Sequence, residues 1–115
     1  FSFNTPDQSV GPQKVALRYK AEGSLNENDM IMVMRYNHDI GDVGALVISV
    51  GIYLAESAGE MRLQSPNSSI QPYLNYDMLS TESDLQRMRE GVRLADKLAA
   101  SPQFSSYIEG RVAPV

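Results

Sequence analysis

A chain of 115 residues with 43% hydrophobic and 21% charged side chains has room for a single domain with one core. Its net charge of -4 argues against a nucleic-acid partner, because such a partner requires a clustered basic face. The absence of cysteine excludes disulfides, thiolate chemistry and cysteine-bound metals. The compartment stays open, with a preference for the cytoplasm.

The ends and the apolar runs of the chain set its expected context. The longest apolar run, residues 43–55, is far shorter than the roughly 20 residues needed to span a bilayer, so we expect no membrane span. The chain begins at Phe1, without an initiator methionine or a basic leader. We therefore expect a single domain over residues 1–115 that is a fragment of a larger polypeptide.

Four segments have the composition of β-strands. The first and last alternate apolar with polar residues, and the middle two are continuously apolar, β-branched or aromatic. Short connections between them favour an antiparallel sheet. The second segment is apolar on both faces except at Arg35, which predicts a central strand. The predicted strands are residues 14–20, 30–36, 45–54 and 60–64.

Alternation also predicts which side chains of the two outer strands face the core. In the first strand these are Val15, Leu17 and Tyr19, and in the last they are Met61 and Leu63.

A long amphipathic helix is predicted over residues 81–100. Thr81 and Asp84 match a capping box, in which the hydroxyl binds the N3 amide and the carboxylate reaches back to the cap. Pro102 ends the pattern. The predicted apolar stripe consists of Leu85, Met88, Val92, Leu94, Ala95, Leu98 and Ala99. The opposite, charged side carries Arg87, Arg89, Glu90, Arg93, Asp96 and Lys97, either as a solvated face or as a docking surface for a second domain.

His38 is the one histidine, and it stands beside Asp39 and Asp42 in a glycine-punctuated loop. Such residues are more often turn formers than metal ligands, and the spacing of a calcium-binding loop is absent. Without a second histidine, acid–base catalysis within this chain is disfavoured. No GxGxxG or GxxxxGK[ST] motif occurs, so we predict no catalytic, metal-binding or cofactor-binding residue in the chain.

The third predicted strand offers a candidate pocket wall. Ser49, Gly51 and Tyr53 share one face by the period of two, and that face either borders a cavity or is covered by a helix. A glycine inside a strand indicates a bulge or the close approach of another group. The methionines supply adaptable apolar surface, for which core filling is favoured over a pocket role. They are Met30, Met32, Met34 and Met61.

Residues 59–103 contain an ordered set of motifs. Gly59, Leu63 and Ser65 form a Gly-x-x-x-Leu-x-Ser pattern, followed by a proline-containing turn over residues 66–72 and the segment YLNYDML at 73–79. The helix then carries Asp84-Leu85 and Gly91-x-Arg93. In this order the motifs resemble the substrate-binding domain of the glucose-methanol-choline (GMC) family of flavin oxidoreductases. The resemblance extends over about forty residues and is weaker over the preceding strands.

The resemblance implies an FAD-dependent oxidoreductase acting on the CH–OH group of a small alcohol. It implies an FAD-binding domain elsewhere in the same polypeptide and a catalytic histidine beyond Val115; His38 does not lie in the matching motif. FAD would be bound by the intact enzyme and not by this segment alone. The resemblance also implies that the strands at residues 30–36 and 45–54 contribute pocket side chains. The candidate pocket residues are Met34, Ser49, Gly51 and Tyr53.

We therefore predict an α+β fold, a mainly antiparallel sheet of four to six strands with one long amphipathic helix packed on it. The predicted function is the substrate-binding portion of an FAD-dependent GMC-type oxidoreductase, inactive as an isolated segment. The alternative is a stand-alone α+β ligand-binding or dimerisation domain without catalytic activity.

Overall fold

The computed structural model describes residues 13–37, 45–105, 108 and 110. Within them the chain forms two antiparallel sheets and one long helix, which confirms the α+β prediction. The three-stranded sheet has the order β1-β2-β3, and the two-stranded sheet pairs β4 with β5. The elements are β1 (Gln13–Tyr19), β2 (Met30–Asn37), β3 (Ala45–Ile52), β4 (Glu60–Arg62), β5 (Tyr73–Asn75), α1 (Glu82–Ala99) and α2 (Pro102–Ser105).

The first three strands lie where alternation and composition predict them, and β2 is central as expected. The two-stranded sheet differs from the sequence prediction. β5 was not predicted, and β4 does not extend the larger sheet but pairs with β5. Met61 and Leu63 were expected to face a core and are 67% and 81% exposed. That prediction was wrong because the small sheet has no layer over it among the described residues.

The helix α1 begins and ends within one residue of the predicted bounds. Thr81 is the N-cap, and its hydroxyl accepts a hydrogen bond from the Asp84 amide at 3.2 Å. The second half of the predicted capping box is absent, because the Thr81 amide donates instead to the Ser57 hydroxyl at 3.3 Å. This frees the Asp84 carboxylate for other partners.

The face of α1 that meets the sheet is rotated from the predicted stripe. Its buried residues are Asp84, Arg87, Gly91 and Ala99, whereas Val92 is 47% exposed. Gly91 sets the close approach, because a β-carbon there would overlap Val50 and lie 2.9 Å from the Tyr19 hydroxyl. Helix and sheet therefore meet through a glycine and two charged residues as well as through apolar side chains.

The core lies between α1 and one face of the three-stranded sheet. Its buried apolar residues come from the loop before β2, from the strands β2 and β3 and from the end of the helix. They are Ala21, Met30, Met32, Leu46 and Ala99; Ala45 is also buried, but its register places it on the other side of the sheet. Val15 and Leu17 lie in register with this side of the sheet but are 57% and 41% exposed, because they occupy the edge strand.

Candidate functional site

The three-stranded sheet has a second face, opposite α1, which we call the open face. Directly paired residues of antiparallel strands point to the same side of a sheet. Ile31 pairs with Gly51 and Val33 with Ser49, so these four side-chain positions are neighbours. All four are half-buried, so part of each residue is accessible to solvent. The described open face consists of Ala16, Arg18, Ile31, Val33, Arg35, Ala45, Val47, Ser49 and Gly51, of which Ala45 is buried.

One end of the open face carries an arginine stacked on a tyrosine. The Arg18 guanidinium carbon lies 4.6 Å from the centroid of the Tyr53 ring, a distance typical of a cation–π contact. Arg18 also donates from Nη2 to the backbone oxygen of Asn28 at 2.8 Å. Because Arg18 pairs with Ile31 across β1 and β2, this contact places Tyr53 beside Gly51 on the open face.

The structure brings together three of the four predicted pocket residues. Ser49 and Gly51 share the open face, and Tyr53 borders it through Arg18. Met34 pairs with Ile48 and therefore lies on the helix side of the sheet, away from the other three. The pairing of β2 with β3 continues without a bulge at Gly51, where a β-carbon would lie 3.2 Å from Ile31 Cγ2.

A buried cluster of charges connects α1 to the loops at the end of the sheet. Arg87 is 5% exposed and pairs with Asp29 at 2.9 Å and with Asp84 one turn before it. Both carboxylates have no exposed surface. Arg87 was predicted to lie on the solvated face of the helix, and that prediction was wrong because two acidic partners hold it inside.

Hydrogen bonds from three segments of the chain support this cluster, although Arg87 Nε is buried without a hydrogen-bond partner among the described residues. Asp84 accepts from the backbone amides of Glu56 at 3.1 Å and Ser57 at 2.7 Å. Asp29 accepts from the backbone amide of Ala21 at 3.0 Å, and Arg87 donates to the backbone oxygen of Leu54 at 3.0 Å. The cluster therefore fixes the two loops that flank the end of the sheet.

The ionisation of the cluster follows from these contacts. Burial alone would raise the pKa of Asp84, but hydrogen bonds from Ser57, the Glu56 amide and Arg87 outweigh it and hold that pKa far below its usual range. Burial also opposes ionisation of Asp29, and hydrogen bonds including those from Ser24, the Ala21 amide and Arg87 lower its pKa. Burial would lower the pKa of Arg87, whereas Asp29 and Asp84 raise it. All three groups are charged at neutral pH.

The cluster also positions residues at the edge of the open face through backbone contacts. The backbone amide of Tyr53 donates to the backbone oxygen of Asp29 at 2.8 Å, and Arg87 holds the next residue, Leu54. Sequence reasoning missed this role. The available signals were the three-residue spacing of Asp84 and Arg87 and the position of Gly91 four residues beyond Arg87 on the same helix face.

Two depressions lie away from the open face. One, of about 450 Å³, lies along the small sheet between Gly59 and Met61 on one side and Leu74 and Tyr76 on the other. The other, of about 570 Å³, lies between the turn at Glu22 and the polar side of α1 and is lined largely by charged and hydroxyl side chains. Both are open to solvent, and neither contains a predicted pocket residue.

The sequence predicts neither a metal site nor a membrane span, and the described residues can be searched for both. The described residues contain no group of three histidine, cysteine, aspartate or glutamate side chains placed to hold a metal. His38, Asp39 and Asp42 lie outside the described residues. Among the described helices, none has the length and apolar character required to cross a membrane.

Comparison with known proteins gives matches to one family. The family model described as GMC oxidoreductase matches residues 55–115. An oxygen-dependent choline dehydrogenase of Chromohalobacter salexigens is 29% identical over 65 residues, which are 56% of this chain and 12% of that protein. An oxygen-dependent choline dehydrogenase of Rhizobium etli is 28% identical over 67 residues, which are 58% of this chain and 12% of that protein. The match therefore spans about one eighth of the length of these relatives.

Proposed function

The chain belongs to the GMC oxidoreductase family, and we propose that it forms part of the substrate-binding domain of an FAD-dependent oxidoreductase acting on the CH–OH group of a small alcohol. The open face of the three-stranded sheet carries this proposal. One face of the sheet is closed by α1, and the other presents half-buried Ile31, Val33, Ser49 and Gly51. A sheet backed by a helix, with no described helix or strand packed on its other face, is suited to form one wall of a chamber.

The pocket residues are assigned within this proposal. Ser49, Gly51 and Tyr53 form the wall against which the alcohol lies. Ser49 supplies a hydroxyl, Gly51 leaves space, and Tyr53 borders the site at the end of β3. Met34 serves the helix side of the sheet instead, because its register places it there. The buried Asp29–Arg87–Asp84 cluster holds Tyr53 in position through the backbone contacts of residues 53–57.

The residues of this chain do not fit FAD as a complete site. The sequence has no glycine-rich phosphate-binding loop, and the two acidic members of the buried cluster already have partners. In the intact enzyme, a flavin would supply the hydride-accepting chemistry, and no residue of this chain is assigned to hold it. The chain's own contribution is to shape the chamber and exclude water, while a base outside this segment takes the hydroxyl proton. As an isolated segment it is expected to be inactive.

The full-length protein tests the proposal. Natively purified protein should absorb near about 450 nm, as oxidised flavins do, and anaerobic addition of an alcohol should bleach that band. Both curated relatives are named choline dehydrogenases, so choline is the first alcohol to add. A protein without flavin, which instead binds a ligand or dimerises through the open face, would support the stand-alone binding domain and contradict the proposal.

A matched pair of substitutions then tests the open face as a chamber wall. Gly51→Leu places a branched side chain on the open face, where the new β-carbon lies 3.2 Å from Ile31 Cγ2, its one close neighbour among the described residues. We expect the KM for the alcohol to rise about tenfold with unchanged flavin content, because the substitution removes binding space and leaves the cofactor site intact. Gly110→Leu is the control, since no atom lies within 4 Å of a β-carbon there. Equal kinetics for the two variants would exclude the open face as the wall.

A further inference from the structure

The charged side chains on the described part of the open face are all basic. Arg18 and Arg35 point to this side by register, and Lys20, next in phase after Arg18, lies beyond the end of β1. Lys20 is neutralised by Glu27 at 2.8 Å. Arg35 is exposed and has no ion-pair partner among the described residues. A positive face in a chain of net charge -4 indicates that charge is segregated on the surface.

One side of the aromatic ring on the open face is already occupied by a cation. A quaternary ammonium group binds best over an uncovered aromatic ring. On the open face, the ring of Tyr53 has the guanidinium of Arg18 at 4.6 Å from its centroid. Arg18 is held there by its hydrogen bond to the Asn28 backbone oxygen. A cationic alcohol would therefore meet a positive charge where it needs an aromatic surface.

The geometry leaves Arg18 able to bind an anion. One terminal nitrogen of Arg18 donates to Asn28, and the guanidinium carries further N–H groups suited to a carboxylate. Arg18 is exposed, and its partner across the strands, Ile31, pairs in turn with Gly51, which carries no side chain. Arg35 lies at the other end of the strip formed by Ile31 and Val33, about 13 Å along β2 from Ile31, so it adds attraction over distance and no direct contact.

We propose that the open face selects an alcohol that carries an anionic group, and that Arg18 binds its carboxylate. The proposal rests on the proposed function, because it takes the open face to be the wall of the substrate chamber. It separates this protein from choline-type substrates by charge. Arg18 is thus assigned a specificity role: its guanidinium attracts an anion and denies Tyr53 to a quaternary ammonium.

The test uses the full-length holoenzyme and three primary alcohols of similar size and different charge. They are 4-hydroxybutanoate, which is anionic, 3,3-dimethylbutan-1-ol, which is neutral, and choline, which is cationic. The intact protein should have its highest kcat/KM with the anionic alcohol. Arg18→Gln should raise KM for that alcohol about fivefold or more and leave the neutral alcohol within about twofold, because one exposed ion pair is lost. It should also raise kcat/KM for choline, since the ring of Tyr53 becomes available.

Two further arginine variants serve as comparison and control. Arg35→Gln should change KM for 4-hydroxybutanoate by less than about twofold, because the attraction between exposed charges is largely screened beyond the Debye length of about 8 Å. Arg89→Gln removes an exposed charge from α1, on the far side of the sheet. It should leave kcat/KM and KM for all three alcohols unchanged. Arg18→Lys should restore part of the preference for the anion through its charge. Circular dichroism and flavin content checked on each variant separate these effects from misfolding.

The outcomes distinguish this inference from the proposed function. If the protein contains flavin and prefers choline, or if Arg18→Gln weakens choline and the anion equally, the charge selection is overturned while the oxidoreductase function stands. If Arg18→Gln lowers flavin content and leaves selectivity unchanged, the anion recognised is a cofactor phosphate and the inference is also overturned. A protein without flavin contradicts the proposed function. In that case calorimetric titration with butanoate and with tetramethylammonium still measures the preference of the face, and a preference for the cation overturns the inference.

Discussion

The helix–sheet body, formed by β1, β2, β3 and α1, and the β4–β5 segment, residues 54–80, differ in where their apolar side chains lie. In the body, Met30, Met32 and Leu46 are buried between sheet and helix. In the β4–β5 segment, Met61, Leu63, Tyr76 and Met78 are between 65% and 81% exposed. The body buries a core of its own and exposes apolar side chains at its edge strand and on the outer side of α1, whereas the apolar side chains of the β4–β5 segment named above are all largely exposed.

The difference shows how one chain divides its stability. Buried contacts hold the body together, and the cluster around Arg87 joins its helix to the loops. The β4–β5 segment is connected to the body through backbone amides of residues 56 and 57 that donate to Asp84. Exposed apolar patches of this kind mark interaction sites in folded proteins. Within the proposed function, this surface is the one that would meet the FAD-binding domain of the same polypeptide.

The largest expected effect is the loss of the buried arginine. Arg87→Met removes the positive charge and leaves Asp29 and Asp84 buried without their ionic partner. We expect the free energy of unfolding to fall by about 3–5 kcal/mol, because an uncompensated buried charge is costly. Urea denaturation measures the change. Arg89→Met, an exposed neighbour on the same helix, is the control and should change stability by less than about 0.5 kcal/mol.

The second-largest effect is expected from acid, which should lower the stability of the helix–sheet body. The pKa values of Asp29 and Asp84 are lowered in the folded state, so their contribution is complete above the unfolded pKa of about 3.9 and is lost as the pH falls through that value toward the folded pKa. Below pH of about 3.9, stability should fall by about 1.4 kcal/mol per pH unit for each carboxylate that stays ionised in the folded state.

Urea denaturation at neutral pH and at pH of about 3 measures this loss. Asp84→Asn provides the comparison, because its stability should depend less steeply on pH than that of the unsubstituted chain. An identical slope in both proteins would show that other carboxylates cause the acid sensitivity.

A smaller effect is expected from methyl insertion at the helix–sheet contact. Gly91→Ala places a β-carbon against Val50, Tyr19 and Met30, whose side-chain ends must move. We expect a loss of about 1–3 kcal/mol in the free energy of unfolding, as for overpacked cores, partly offset by the better helix propensity of alanine. Thermal and urea denaturation both report it. Unchanged stability would mean that the helix does not approach the sheet as closely as the structure shows.

The smallest effect on global stability is expected from a glycine-to-alanine substitution in the β4–β5 segment. Gly59→Ala would overlap the backbone carbonyls of Asn75 and Tyr76, so the pairing of β4 with β5 must separate locally. We expect less than about 0.5 kcal/mol of change in global unfolding, because few buried contacts depend on this segment. Hydrogen exchange should instead accelerate at residues 60–62 and 73–75 alone. Faster exchange throughout β2 would contradict the independence of the two regions.

Local elements could be predicted where the determinants are close in sequence. The alternation in β1, the β-branched run in β3 and the cap at Thr81 involve residues within a few positions of each other, and the structure confirms all three. The motifs of residues 59–103 resemble the GMC family, and the family match at residues 55–115 agrees with them. Ser49 and Gly51 share a sheet face, as the period of two predicts, while their role in a substrate pocket stays a prediction.

The features that could not be predicted from the sequence depend on contacts between residues far apart in the chain. The helix sequence places Arg87 on one face with Asp84 and Gly91, but it does not identify the second ionic partner, Asp29, which is 58 residues away. Met34 could not be assigned to a side of the sheet relative to Ser49 before the register of β2 against β3 was known. Met61 and Leu63 alternate as core residues do, yet no described layer covers them.

By itself, the sequence determined the class of fold, the positions of three strands and a capped helix, and the family. These depend on backbone propensity, side-chain periodicity and ordered motifs, all of which are read within short windows. Only the tertiary structure decided which sheet face is open, that Arg18 covers Tyr53, and that a buried ion cluster supports this face. Those features depend on strand register and on charges brought together from distant positions, where the free energy of burial and not local preference determines the arrangement.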